Sequence, residues 1–266
     1  ISLHLFGVSE ISLRLPSLIF GLASLYLAWQ IITRICPTSA SRIPAAAFYA
    51  FLPYLFWTSQ DGRCYSFYVF LYLAAFWFIL DKRWLGLTAC VGLLLYTHPT
   101  AVFYVISLFL PALLLHRSYW RNILISFMAG GLSYLPWIPS LMAVPKLWSE
   151  PLAPGRILNA VGQAMFATSF TSTLRLTAYF AIFFTFTVTI LLSIWRVRKD
   201  PGLTAVILWA LSPLIIMVII SSFQNVINYR IVSAMIIPIG FVWSIILFPR
   251  KMHALNWLLP AAWALL

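Results

Sequence analysis

Long apolar runs separated by short polar knots set the pattern of this chain. Continuous runs cover residues 15–35, 43–57, 65–80, 84–97, 99–115 and 123–142. A longer polar stretch, 143–173, is followed by runs 174–195, 203–223 and 231–248, and a truncated tenth begins near Leu255. Runs of this kind predict membrane-crossing helices, since a helix needs ~20 apolar residues to span the hydrocarbon core. Barrel strands would be shorter and would alternate at every second residue. The second, third and fourth runs are short for a ~30 Å core, so they extend into flanking polar residues or cross a thinned region. Residues 1–14 are mixed in character, and the i,i+4 spacing of Glu10 and Arg14 suits a short interfacial helix.

The expected fold class is therefore all-α: a polytopic transmembrane helix bundle of about ten spans, one domain over residues 1–266. No internal repeat or second domain is visible. The chain opens at Ile1 without a methionine and stops inside an apolar run at Leu266, so it reads as a piece of a longer protein, open at both ends. No signal peptide is visible.

Composition supports the same class. Hydrophobic residues make up 63% and charged residues 8% of the chain, against roughly 25% charged in soluble domains. So little polar surface could not cover a soluble fold of this size. The net charge of +12 does not point to nucleic acid, because the basic residues fall in short loops between apolar runs. Cys36, Cys64 and Cys90 lie in or beside different runs and form no CxxC pair, which argues against a disulfide framework or a zinc site.

Loop charge gives an orientation. With the N-terminus outside and strict alternation, the inner loops hold Arg34, Arg42, Lys82, Arg83, Arg117, Arg121, Arg196, Arg198, Lys199, Arg250 and Lys251, which is 11 of the 17 basic residues. Every inner loop then carries at least two, as the positive-inside rule expects. Topology accounts for these inner charges. The outer ones are informative: Asp61, Arg63, His98 and Arg230 all fall on that face, as does the longest loop.

Four outer segments bear on chemistry. In Asp61-Gly62-Arg63-Cys64-Tyr65, Gly62 allows a tight turn, Arg63 offers a rigid fork of donors for phosphate or carboxylate, and Tyr65 adds a hydroxyl. The plainer account is that Arg63 snorkels or pairs with Asp61 while Tyr65 joins the aromatic belt. In Tyr96-Thr97-His98-Pro99, a histidine sits in a crook between two spans, where an ionisable group is usually functional or paired. The alternative there is a histidine bonded to a nearby carbonyl. Arg230, after Asn228-Tyr229, is either an anion or headgroup ligand or an ordinary interfacial anchor. Leu135-Pro136-Trp137-Ile138-Pro139 marks a helix end at an interface and carries no assigned chemistry. No metal motif, Gly-rich phosphate loop or nucleophile elbow is present. With only Glu10, Asp61 and Glu150 on the outer side, a paired-carboxylate glycosidase is poorly supported.

The order of these features is similar to that in a known family. Gly7-Val8-Ser9-Glu10-Ile11-Ser12-Leu13-Arg14-Leu15-Pro16-Ser17 resembles the "fG-x-se-x-x-lRlps" entry to the second span of the type-C (GT-C) membrane glycosyltransferases. The branch meant is the one related to dolichyl-phosphate-mannose protein mannosyltransferases and bacterial aminoarabinose transferases. Ser59-Gln60-Asp61-Gly62-Arg63-Cys64-Tyr65-Ser66 resembles its "s-[rq]-[ED]-a-R-x-Y-s/a" loop. Tyr96-Thr97-His98 resembles its "y-T-H" step, and Leu135-Pro136-Trp137-Ile138-Pro139 its "l-PW-l-p" segment. The four matches cover roughly residues 7 to 140 in the family's order and are specific only together. Asn228-Tyr229-Arg230 lies where that branch often has Arg-Tyr, in reversed order.

The resemblance implies an inverting glycosyltransferase. It would move a sugar from a polyprenyl-phosphate-sugar donor to a lipid, glycan or protein acceptor on the extracytoplasmic face, in the plasma membrane if the source is prokaryotic. It implies Arg63, Tyr65, His98 and Arg230 as donor-phosphate ligands and Asp61 as the catalytic candidate. Asp61 would orient Arg63, contact the acceptor or bind a metal, so a divalent cofactor stays open. It also implies a first outer loop with the catalytic base before Ile1, which would leave this piece inactive by itself. Two other classes compete. A transporter or flippase for a lipid-linked or anionic solute would show inverted repeats and Gly/Pro-broken spans in corresponding positions of two halves, and no such pairing is found. A structural membrane protein would tolerate replacement of the outer polar residues.

Overall fold

A computed structural model describes residues 7, 9–36, 38–142, 201–221, 234 and 237–242. All regular structure among these residues is helical. In chain order the elements are α1 (Glu10–Ile35), α2 (Ser39–Ala50), α3 (Pro53–Gln60), α4 (Tyr65–Leu80), α5 (Trp84–Thr97), α6 (Ala101–Leu115), α7 (Trp120–Leu132), α8 (Ile138–Met142) and α9 (Pro201–Ser221). Short 3₁₀ turns, Arg117–Tyr119 and Leu135–Trp137, flank α7.

The first helix is fixed by its cap. The Ser12 N–H donates to Ser9 Oγ at 3.1 Å, and the Ser9 N–H donates to Ser12 Oγ at 3.0 Å. This reciprocal box starts the helix at Glu10, with the acidic side chain in the first turn where the helix dipole favours it. The segment around Glu10 and Arg14 is thus not the separate interfacial helix that the i,i+4 spacing predicts. It is the first turn of one continuous 26-residue helix. Arg14 and Glu10 do pair, at 2.6 Å.

The second apolar run is not a single span. It breaks into α2 and α3 at Phe51–Leu52. Pro53 has no N–H to donate, and the residue before a proline is turned away from the helical region, so Leu52 is extended at φ −64°, ψ 113°. The sixth run is also segmented, since Pro136 and Pro139 convert its end to a 3₁₀ turn and a short helix. Between α5 and α6, Pro99 forces His98 into an extended conformation and closes the helix at Thr97.

The described residues cover only part of the expected ten spans. Three elements among the described residues are long and apolar enough to cross a membrane: Glu10–Ile35, Arg117–Ser140 and Pro201–Ile220. The helices α4, α5 and α6 are apolar but have only 16, 14 and 15 residues. At 1.5 Å per residue they reach about 21–24 Å, short of a ~30 Å core. An apolar run read by length alone hides proline breaks of this kind. The runs at 174–195 and beyond 248 lie outside the described residues, as does most of 231–248. The molecule remains an all-α membrane protein.

Helix α4 is the axis of the bundle. It is apolar on every side and mostly buried, as a helix surrounded by others must be. Lipid is as apolar as a leucine side chain, so helices here associate by close packing and hydrogen bonds rather than by exclusion from water. On one side α4 meets α1, whose Ser17, Gly21, Ser24 and Ala28 form a stripe of small residues. A Cβ on Gly21 would stand 2.7 Å from Ser59 Cβ, so glycine is what lets α3 lie against α1. On the other side α4 meets α6 and α9. Phe76 stacks on Trp209 with centroids 3.8 Å apart and planes within 2°. The Tyr72 hydroxyl donates to the Trp209 carbonyl at 3.3 Å, and the Ser212 hydroxyl reaches the Ser107 carbonyl at 3.3 Å.

The alternating helices sort the loops into two groups. One end collects Arg34, Asp81, Lys82, Arg83 and Tyr119. Arg34 pairs with Asp81, both Arg34 and Arg83 lie over the Trp77 ring, and Lys82 lies over Tyr119. Lys82 takes the left-handed conformation, φ 57°, that a three-residue connection between antiparallel helices requires. The opposite end collects residues 61–64, His98 and the Leu135–Trp137 turn. There the Tyr96 hydroxyl donates to the Ser133 carbonyl at 2.7 Å, and Tyr96 packs edge-on to Tyr134.

Candidate functional site

The polar knot between α3 and α4 is built by backbone closure rather than by a long loop. The Asp61 N–H donates to the Trp57 carbonyl at 3.0 Å and ends α3, and the Arg63 N–H turns back to the Asp61 carbonyl at 2.6 Å. Ser17 of α1 anchors the knot from outside, its hydroxyl within reach of the Asp61 carbonyl (2.7 Å) and the Arg63 carbonyl (3.2 Å). Gly62 lies against Leu13, whose Cγ would be 2.8 Å from an added Cβ. The knot is thus clamped between the first turns of α1 and the start of α4. Sequence spacing gave no sign of the Ser17 anchor, because the residues are 44 positions apart. The small-residue stripe of α1 was the one available clue to which face it presents.

The side chains on this frame differ in character. Arg63 is half exposed, at 55%, and its Nε stands 3.7 Å from Asp61 Oδ1. That is a long contact for an ion pair between partly solvated groups, and such pairs are worth little. The plain pairing account of Arg63 therefore uses only a small part of its donor capacity. Asp61 is more enclosed, at 19%, and its Oδ2 is buried without a hydrogen-bond partner among the described residues. An acceptor left bare in this way costs free energy unless something fills its place.

His98 reaches the same end from the α5–α6 turn. Its ring centroid lies 6.2 Å from that of Tyr65, the first residue of α4. Nδ1 accepts from the Thr100 N–H at 3.3 Å and lies 2.7 Å from Thr100 Oγ1. With Nδ1 used as an acceptor, the neutral ring carries its proton on Nε2, which becomes a donor. Burial holds the His98 pKa below the ordinary value of 6.5. The imidazole is therefore neutral at pH 7 in the empty protein. Burial likewise pushes the Cys64 thiol up, although its residue is exposed.

The sign of the histidine shift gives a pH prediction. The unfolded chain binds a proton at His98 more readily than the folded one, so stability rises with pH through this interval and falls as the solution is acidified below about 6.5. An anion bound beside the ring would act oppositely by favouring the imidazolium. If His98 meets such an anion, its affinity is expected to rise as pH drops from 7.5 to 5.5 in the wild type and to flatten in His98→Gln. Titration of binding at fixed ionic strength checks this.

The structure thus brings four of the expected site residues, Asp61, Arg63, Tyr65 and His98, to one end of the bundle. Arg230 lies outside the described residues. Among the described residues no group of three or more His, Cys, Asp or Glu gathers. A metal at Asp61 would need ligands from beyond them.

A family model for dolichyl-phosphate-mannose-protein mannosyltransferase matches residues 1–142. No curated protein and no solved structure matches the chain. The family match covers more than half of the chain and takes in the knot, the α5–α6 turn and the Leu135–Trp137 turn. The chain belongs to the dolichyl-phosphate-mannose-protein mannosyltransferase family, a family of membrane glycosyltransferases that use polyprenyl-phosphate-linked sugars.

Proposed function

We propose that this end of the bundle holds the phosphate of a polyprenyl-phosphate-sugar donor on the extracytoplasmic face, and that the whole protein inverts the sugar's linkage as it passes to a lipid, glycan or protein acceptor. The observation that carries this reading is that the half-exposed Arg63, two residues before α4, shares one end of the bundle with the His98–Tyr65 ring pair. A lipid-linked donor must sit with its tail among helices and its phosphate at their rim. As the sugar leaves, negative charge grows on that phosphate, and fixed donors stabilise it most when they are already in place. Arg63 supplies the fork and His98 the Nε2 proton. Tyr65 stands beside His98. Asp61, partly enclosed, holds the guanidinium or receives the acceptor. The base that takes the acceptor's proton comes from elsewhere in the protein.

Cys64 makes a built-in test, since Cys36 and Cys90 are buried and it alone of the three is exposed. A membrane-impermeant maleimide added to intact cells is expected to label the unaltered protein at Cys64, and saturating donor is expected to slow that labelling. Labelling only after the cells are opened would place the knot on the cytosolic side and defeat the proposal.

A further inference from the structure

The end of the bundle opposite the knot holds a second set of cations, on the turn between α4 and α5. The Lys82 N–H donates to the Ile79 carbonyl at 3.2 Å and the Arg83 N–H to the Phe78 carbonyl at 2.9 Å, which is the Schellman closure of a helix. The left-handed position of that closure usually holds glycine; here it holds Lys82, at φ 57°. The side chains spread from this turn over aromatic rings. Lys82 Nζ lies 5.2 Å from the centre of the Tyr119 ring. Arg83 and Arg34 lie 5.3 and 5.7 Å from the centre of the Trp77 ring. Asp81 is the carboxylate among them; it is 17% exposed and pairs with Arg34. Arg83 Nε stands 3.8 Å from Asp81 Oδ2, beyond hydrogen-bond reach, and the Arg83 side chain is 64% exposed.

We propose that Lys82 and Arg83, held over Tyr119 and Trp77, form a headgroup site for an anionic phospholipid. Three features select this ligand. Charge comes first: Arg34, Lys82 and Arg83 surround one carboxylate, so the cluster keeps an excess of positive charge. Depth comes second. Helices α4 and α5 have 16 and 14 residues, so at 1.5 Å per residue they reach about 24 and 21 Å against a ~30 Å hydrocarbon core. The turn between them therefore meets the bilayer at headgroup depth, where the anions present are lipid phosphates. Preorganisation comes third. A cation resting on an aromatic face loses little further freedom when it binds, and the guanidinium presents a planar fork that matches phosphate oxygens. The Trp84 and Tyr119 rings, 5.8 Å apart, continue the aromatic surface beside Lys82.

The positive-inside pattern explains which end these charges occupy. It does not explain their gathering on two rings, nor a lysine at a position where backbone fit alone would place glycine. The site is at the far end of α4 from the knot and is independent of the donor reading.

The test is native mass spectrometry of the full-length protein, carrying Arg63→Ala so that the knot contributes little phosphate binding. Short-chain phosphatidylglycerol is compared with phosphatidylcholine of the same chains. The anionic lipid is expected to bind about tenfold more tightly or better. Lys82→Gly and Arg83→Gln are each expected to remove about fivefold of that preference, the worth of one basic residue near a lipid surface, and to leave phosphatidylcholine binding unchanged. Arg121→Gln takes the same charge from the neighbouring Trp120 ring and is expected to change the preference by less than about twofold. Equal losses from all three variants would mark a diffuse surface potential and overturn the site. Absence of a preference in the parent would overturn it too. So would displacement of the lipid by equimolar inorganic phosphate, which would assign the cluster to a free anion. Lys82→Gly relieves the left-handed backbone, so its Tm is expected to hold or rise while the preference falls. Should that variant fail to fold, Arg83→Gln decides alone, because its side chain is mostly exposed; a preference that survives it overturns the proposal.

Discussion

Replacing Arg63 with alanine is expected to weaken lipid-phosphate donor binding by about 10- to 100-fold while the protein still inserts and folds. The magnitude follows from the chemistry of the contact. A hydrogen bond to a charged group contributes about 1.5–3 kcal/mol, and each 1.4 kcal/mol is tenfold in affinity. Insertion is spared because the side chain is half exposed and its contact with Asp61 is long, at 3.7 Å. The fold holds the knot through the backbone instead, by way of the Ser17 hydroxyl and the Trp57 carbonyl. Arg63→Lys should recover only part of the loss, since an ammonium provides charge without the planar fork. Donor titration of the full-length protein, with membrane insertion followed in parallel, makes the measurement. Unchanged transfer by the alanine variant would remove Arg63 from the site.

Asp61→Asn is expected to have the larger effect on turnover, about 100-fold or more, the low end of what a positioned acid or base contributes. Its shape matches the carboxylate, so packing is preserved and the charge alone is lost. The kinetic pattern separates the three roles open to Asp61. A residue that orients Arg63 raises the donor KM. One that contacts the acceptor lowers kcat and kcat/KM for acceptor together. A metal ligand gives a loss that depends on added divalent ion. Steady-state kinetics with each substrate varied in turn distinguishes them, and normal transfer would exclude all three.

Much of the candidate site was legible in the sequence because polar residues are so rare there. In a chain with 8% charged residues, an acid two positions before an arginine stands out between apolar runs. The His98-Pro99 step was equally readable, since proline fixes where α5 must end. Counting basic residues divided the loops into two sets, and the structure places residues 34 and 81–83 at one end and 61–64 and 98 at the other. The break in the second run was not legible. Apolar length says nothing of Pro53, whose missing N–H splits one expected helix into α2 and α3. Nor could spacing show that Ser17, unremarkable in its own segment, would anchor the knot from 44 positions away. Small hydroxyl residues carry no periodic signal, and only tertiary packing gives them a shared address.

The stack of Phe76 on Trp209 bears on how short a recombinant version can be. A product ending at Met142 would keep every residue that the family model covers. It would also strip the indole from Phe76 and the carbonyl from the Tyr72 hydroxyl, halfway along the helix that begins at the knot. Trimming to the family boundary therefore removes a wall from the bundle's central post, and a shortened version keeps that wall only if it retains α9 through Trp209 and Ser212.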